Sequence, residues 1–123
     1  MPFHWTIDAT SRLVPIVAQG DVTSQDVDAY LKAMVDGEAL TYRKLFDGSK
    51  AKTSMAPEDM LALGARFRAF HARGPVGPLA MVVPDGKVDL VARVLGILAS
   101  ADRPMRVFRA VAPARRWIES LAK

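Results

Sequence analysis

Leu79-Ala80-Met81-Val82-Val83 is the stretch that decides the fold, because none of its side chains is polar. A strand with one solvent-facing side alternates polar and apolar residues, whereas a strand buried on both sides does not. The turn Pro84-Asp85-Gly86 follows, and apolar residues then recur at helical spacing over residues 88–99. A buried strand that leads directly into a helix predicts a parallel sheet with residues 79–83 in its interior.

The chain before this strand predicts a β-hairpin and a third strand. Residues 3–8 alternate apolar and polar side chains, and residues 12–19 are apolar on both faces. The short link between them favours an antiparallel hairpin. Pro15 has no N–H, so we expect either a bulge or a missing ladder hydrogen bond there. A third strand is predicted over residues 40–46, ended by Asp47-Gly48.

Helical patterns separate the strands. Thr23 and Asp26 have the spacing of a capping box, and an apolar face at i, i+3, i+4 and i+7 follows them. That face consists of Val27, Tyr30, Leu31 and Met34. Pro57 predicts the start of a second helix, with apolar residues continuing to Phe70. After a last strand over residues 105–109, Pro113 predicts the start of a final helix.

The order of these elements predicts an α/β fold. It begins with the hairpin and continues as βα repeats, giving a mostly parallel five-stranded sheet with four helices. The alternating first and last strands are expected at the edges. The length of 123 residues fits one domain over residues 1–123, and a hydrophobic content of 50% provides for a core.

The inventory of chemical groups argues against an enzyme. The chain has no cysteine and only two histidines, His4 and His71, which are far apart and not at metal-binding spacing. Neither a G-x-x-x-x-G-K-[ST] nor a G-x-G-x-x-G phosphate loop is present. We therefore expect no cofactor. With neither a signal peptide pattern nor a run long enough to cross a membrane, a cytoplasmic protein is expected.

Charge is distributed unevenly along the chain, whose formal net charge is +4. Residues 1–61 carry six basic and nine acidic side chains, and residues 62–123 carry eleven basic and four acidic ones. Such polarity favours a binding partner. The basic side chains of the second half include Arg66, Arg68, Arg73, Arg106, Arg109, Arg115 and Arg116. They are scattered over several elements and faces, which argues for a solvated basic surface rather than a nucleic-acid site.

One loop is the best candidate for a site. Residues 47–55 follow the predicted third strand and precede a helix, at the end of a parallel sheet where ligands usually bind. The candidate partner or ligand residues are Asp47, Ser49, Thr53, Ser54 and, from the next turn, Asp85. Hydroxyls at a helix N-terminus suit an anion or a polar partner. The alternative is an ordinary loop in which Thr53 or Ser54 helps to begin the helix.

Several segments in order resemble the SpoIIAA-like family, small bacterial domains related to STAS anti-sigma factor antagonists and to CRAL-TRIO lipid-binding domains. The resemblance spans nearly the whole chain. It is carried by Gly20-Asp21-Val22-Thr23, Tyr42-Arg43-Lys44-Leu45-Phe46-Asp47, Pro57-Glu58-Asp59-Met60-Leu61, Gly77-Pro78 with the strand at 79–83, and Arg106-Val107-Phe108-Arg109 with Ala114, Trp117 and Ile118.

The resemblance implies a single α/β domain and a regulatory role. STAS antagonists are phosphorylated on a serine in an Asp-Ser-Ser-Gly-like segment, and this chain has Asp47-Gly48-Ser49-Lys50 instead. The usual phosphoserine motif is therefore absent. We expect a non-enzymatic module that binds a protein partner through residues 47–55 and the second helix. Its edge strands are also available for pairing with a second copy of the chain. The alternative is a CRAL-TRIO-like domain that binds a small apolar or anionic ligand.

Overall fold

The computed structural model describes residues 3–52, 76–83 and 105–121, together with residues 58, 62, 65, 66 and 69. Its strands are β1 (Phe3–Trp5), β2 (Leu13–Asp21), β3 (Arg43–Lys52), β4 (Leu79–Val82) and β5 (Met105–Phe108). Two helices are delimited within the described residues, α1 (Ser24–Asp36) and α2 (Val111–Ser120).

The five strands form one mixed sheet in the order β1-β2-β3-β4-β5. β1 runs antiparallel to β2, and the three remaining pairs are parallel. The predicted hairpin and the mostly parallel five-stranded sheet are therefore confirmed. β4 has a neighbour on each side, as its apolar sequence predicts, whereas β1 and β5 are the edges of the described sheet.

The prediction of four helices is not supported. Residues 58, 62, 65, 66 and 69 have helical backbone and fall within the predicted second helix. The predicted third helix, over residues 88–99, lies outside the described residues. α2 begins at Val111 rather than at Pro113, so that prediction was wrong by two residues. Pro113 fits inside the first turn because an N–H there has no acceptor within the helix.

α1 forms as the capping pattern predicts. The Asp26 backbone N–H donates to Thr23 Oγ1 at 3.3 Å, and the Thr23 N–H donates to the Asp26 carboxylate at 2.9 Å. These two bonds complete a capping box and satisfy donors that a helix N-terminus otherwise leaves unpaired. All four residues of the predicted apolar face, Val27, Tyr30, Leu31 and Met34, are buried.

Of the two alternatives expected at Pro15, the structure excludes the bulge, and it corrects the bounds of the third strand. β2 keeps its register with β3 at Pro15, and the irregularity lies further on, between Val17 and Gln19. Pro15 still accepts a hydrogen bond from the Thr6 N–H on the β1 side. The third strand begins at Arg43 rather than at residue 40, and it continues through Lys52 instead of ending at Asp47-Gly48. Pairing with β2 extends it, as the register of Asp21 with Lys52 shows.

The sheet separates two hydrophobic clusters, because successive side chains of a strand point to opposite faces. One cluster joins α1 to Val14, Ile16 and Ala18 of β2. We call this side the α1 face. The other joins α2 to Leu45 of β3 and to Ala80 and Val82 of β4. We call that side the α2 face.

Candidate functional site

The parallel strands β2 to β5 have their carboxyl ends on the same side of the sheet. On that side, β2 and β3 extend further than β4 does. β4 ends at Val82, which pairs with Asp47, whereas β3 continues for five more residues alongside β2. No strand within the described residues pairs with residues 48–52 on the β4 side. We call residues 19–21 and 48–52 the β2–β3 projection.

A β-bulge shapes the base of the projection. Val17 is paired with Asp47, but Gln19 is paired with Lys50, so one residue of β2 lies opposite two residues of β3. Such an extra residue bends the strand and redirects its side chains. Gly48 sits in the bulge, where an added Cβ would lie 2.9 Å from the Val82 carbonyl oxygen. The bulge therefore needs a residue without a side chain at this position.

Asp47 and Ser49 meet across the bulge. One carboxylate oxygen of Asp47 accepts a hydrogen bond from the Ser49 N–H at 3.0 Å and another from the Ser49 hydroxyl at 2.7 Å. An aspartate side chain that accepts a hydrogen bond from the backbone N–H two residues later is typical of an Asx turn. Asp47 is half-buried, and Ser49 and Lys50 are exposed. Asp47 thus fixes the bulge and leaves the Ser49 side chain at the surface.

The predicted site is only partly assembled by the described residues. Asp47 and Ser49 are brought together, but in a strand rather than in a loop before a helix. Ser49 thus lies within β3 rather than in the predicted loop, and its role toward an anion or a partner stays a prediction. Thr53, Ser54 and Asp85 lie outside the described residues.

Arg43 is a buried side chain that the sequence did not single out. It is only 4% exposed, on the α2 face at the start of β3. Its Nη1 lies 3.0 Å from the Ile118 carbonyl oxygen, 3.1 Å from that of Leu121 and 3.4 Å from that of Glu119. Its Nη2 donates to the Ser11 carbonyl oxygen at 2.8 Å. Because carbonyls at a helix C-terminus lack partners and carry partial negative charge, the guanidinium stabilises the end of α2.

Lys44 plays a similar part on the opposite face. It is 3% exposed, and its Nζ donates to three backbone carbonyl oxygens at 2.7–2.9 Å. These belong to Ala39, Leu40 and Tyr42, in the segment between α1 and β3. Adjacent basic residues of β3 thus hold structure on both sides of the sheet. Basic side chains are usually exposed to solvent, so the burial of these two could not be predicted from the sequence.

A stacked arginine lies at the β5 edge, on the α2 face. The Arg106 guanidinium carbon is 5.2 Å from the ring centre of Phe108 and 5.7 Å from that of Trp117. The two rings are 5.9 Å apart and tilted by 45°. Both aromatic residues are half-buried and Arg106 is exposed. We call Arg106, Phe108 and Trp117 the arginine–aromatic cluster.

Two other arginines of the basic half are already paired. Arg66 Nη1 lies 2.8 Å from the Asp28 carboxylate of α1, and Arg115 Nη1 lies 3.1 Å from that of Glu119. These side chains are about half exposed, so each pair contributes little to stability.

Within the described residues, no helix is long and apolar enough to cross a membrane. No group of three or more His, Asp or Glu side chains in that part of the chain is arranged to hold a metal ion.

Comparison with known proteins finds no matching family model, curated protein or solved structure.

Proposed function

We propose that the chain is a non-enzymatic protein-interaction module of the SpoIIAA-like type, and that it binds its partner through the β2–β3 projection. The observation that carries the proposal is the extension of β2 and β3 past the end of β4. Paired strands hold this surface rigidly, so a partner that binds it imposes little ordering cost on the backbone.

The exposed side chains of the projection suit a polar interface. Gln19, Ser49 and Lys50 are exposed and supply hydroxyl, amide and ammonium groups. Asp47 fixes the bulge that positions Ser49. The resemblance to STAS antagonists supports this end of the sheet as the binding surface. This chain lacks the phosphoserine motif of those proteins.

Site-specific photo-crosslinking tests the proposal. A photoreactive residue is placed at Lys50 in the projection and, as a control, at the exposed Ala29 of α1. Irradiation in the native cells should give a discrete adduct from position 50 and none from position 29. The adduct identifies the partner, whose affinity is then measured with purified proteins.

Matched charge reversals complete the test. Lys50→Glu should weaken the purified complex by about tenfold or more, as expected for a charged contact within an interface. Lys32→Glu reverses an exposed lysine on α1 and should change the affinity by less than about twofold. Absence of a position-50 adduct, or equal effects of the two reversals, would overturn the proposal. So would a native mass spectrum of the purified chain that shows a stoichiometric small ligand.

A further inference from the structure

We propose that the arginine–aromatic cluster is a second docking surface, which takes a carboxylate from an acidic segment of a protein partner. The inference rests on the proposed function, because it supplies a chemical class for the partner. It concerns a different part of the molecule, since the cluster lies on β5 and α2 rather than on the β2–β3 projection.

Arg106 is ordered by stacking on aromatic rings. A guanidinium that lies over aromatic rings within about 6 Å is held in one orientation, with its N–H edge still able to donate. Arg106 makes this contact with both Phe108 and Trp117. A carboxylate accepts two parallel hydrogen bonds from such a guanidinium, and less side-chain entropy is lost when the guanidinium is already ordered.

The charge of the segment that carries the cluster also suits a carboxylate. Residues 105–121 contain four arginines and a single glutamate, Glu119. The Glu119 carboxylate is engaged by Arg115 at 3.1 Å, at the far end of α2 from Val111. This excess of basic residues over acidic ones in the segment favours an acidic partner. Tryptophan and arginine are also the residue types that contribute most strongly to interfaces.

A carboxylate fits the cluster better than a nucleic acid does. Single-stranded nucleic acids gain affinity by stacking their bases on aromatic rings. Here the Arg106 guanidinium lies over both Phe108 and Trp117 and occupies a face of each ring. Its N–H edge is the group left to bind a ligand, and that edge matches the geometry of a carboxylate.

The test is an NMR titration of the full chain with three probes: a short peptide of alternating glutamate and glycine, the same peptide with glutamine for glutamate, and a short oligothymidylate. The chain has two tryptophans, so its indole N–H signals separate the two faces. Trp117 belongs to the cluster, whereas Trp5 packs against Tyr30 on the α1 face and serves as an internal reference. The glutamate peptide should shift the Trp117 signal alone, and the glutamine peptide should shift neither.

Variants separate a specific contact from general attraction. Arg106→Gln should weaken binding of the glutamate peptide by about tenfold or more, since a charge-assisted bidentate contact is lost. Arg106→Lys should recover only part of the affinity. Arg115→Gln removes an equal charge from α2 and should change it by less than about twofold. Far-UV circular dichroism and thermal melting verify that each variant is folded.

Three results would overturn the inference: an unchanged Trp117 signal, equal losses from Arg106→Gln and Arg115→Gln, or binding of oligothymidylate at least as tight as that of the glutamate peptide. The two proposals can fail separately. A crosslinked partner at position 50 without a response at Trp117 refutes only this surface. A Trp117 response without any crosslinked partner refutes only the role of the β2–β3 projection.

Discussion

α1 and α2 pack on opposite faces of one sheet. On each face, a buried basic residue of β3 donates hydrogen bonds to backbone carbonyls at or shortly after the C-terminal end of the helix. Lys44 donates to carbonyls that lie two to five residues before it in the chain. Arg43 donates to carbonyls of α2 and of the residue after it, which lie 75–78 residues away. The backbone carbonyls after α1 are therefore hydrogen-bonded by a residue close to them in sequence, whereas those at the end of α2 are hydrogen-bonded by a distant residue.

The N-termini of the two helices differ as well. Thr23 and Asp26 form a complete capping box at the start of α1. Ala110 precedes α2 with the extended backbone of an N-cap, but its methyl side chain cannot accept a hydrogen bond from the N–H groups of the first turn. α1 is thus specified by residues close to it in sequence, whereas α2 depends on the sheet. The comparison predicts unequal responses to similar substitutions.

The largest effect is expected from Arg43→Met. The substitution keeps an apolar stem but removes the guanidinium from the carbonyl oxygens at the end of α2 and from that of Ser11, at a cost of about 4 kcal/mol in the free energy of unfolding. Chemical denaturation measures the total. Hydrogen exchange should show that the amides of α2 lose protection before those of α1. Arg115→Met, on the exposed side of α2, is the control, and equal losses in the two variants would refute the role given to Arg43.

Lys44→Met is expected to cost less, about 2 kcal/mol. The three acceptors seen among the described residues lie in one short segment, which can turn its carbonyls toward water once the ammonium is gone. Denaturation curves should show the loss, and exchange should increase mainly in residues 37–42. Lys50→Met provides the matched control, since Lys50 is exposed on the same strand. A larger loss from Lys44→Met than from Arg43→Met would contradict the comparison.

The caps should respond in opposite directions. Thr23→Ala removes the capping box and should destabilise the protein by about 1 kcal/mol, whereas Ala110→Ser adds a missing cap and should stabilise it by up to about 1 kcal/mol. Thermal melting of both variants and of the double variant checks the signs. Stabilisation by neither serine nor aspartate at position 110 would show that the start of α2 is already satisfied.

The smallest effects are expected for the two exposed ion pairs. Double-mutant cycles to alanine should give coupling energies of about 0.5 kcal/mol for both Arg66–Asp28 and Arg115–Glu119. The former joins parts of the chain 38 residues apart, and the latter lies within one helix. Both couplings should decrease in high salt. A coupling energy above about 2 kcal/mol would show that the ion pair contributes substantially to the stability of the fold.

The predictable parts of the fold were those with a regular pattern. The apolar run at 79–83 predicted the interior strand β4, and the spacing of Val27, Tyr30, Leu31 and Met34 predicted the buried face of α1. Thr23 and Asp26 predicted the cap, because a capping box depends only on residues within a stretch of four. These features depend on neighbours in sequence, which a single chain displays directly.

The mistakes arose where distant contacts decide the structure. Asp47-Gly48 has the composition of a turn, but pairing with β2 carries the strand through it as a bulge. That pairing also places Ser49 in a strand rather than in the predicted loop. Arg43 and Lys44 were missed for a different reason, because their acceptors are backbone carbonyls, which no pattern of side chains in the sequence reveals.

The separation between Arg43 and its acceptors has a consequence for biosynthesis. When β3 leaves the ribosome, the acceptors of Lys44 have already been made, whereas α2 is still to be synthesised. The α2 face then presents Leu13, Leu45 and a hydrated Arg43 without the helix that covers them. We expect the nascent chain to hold this face open until α2 emerges, and chaperones that bind apolar surface to recognise it during that interval.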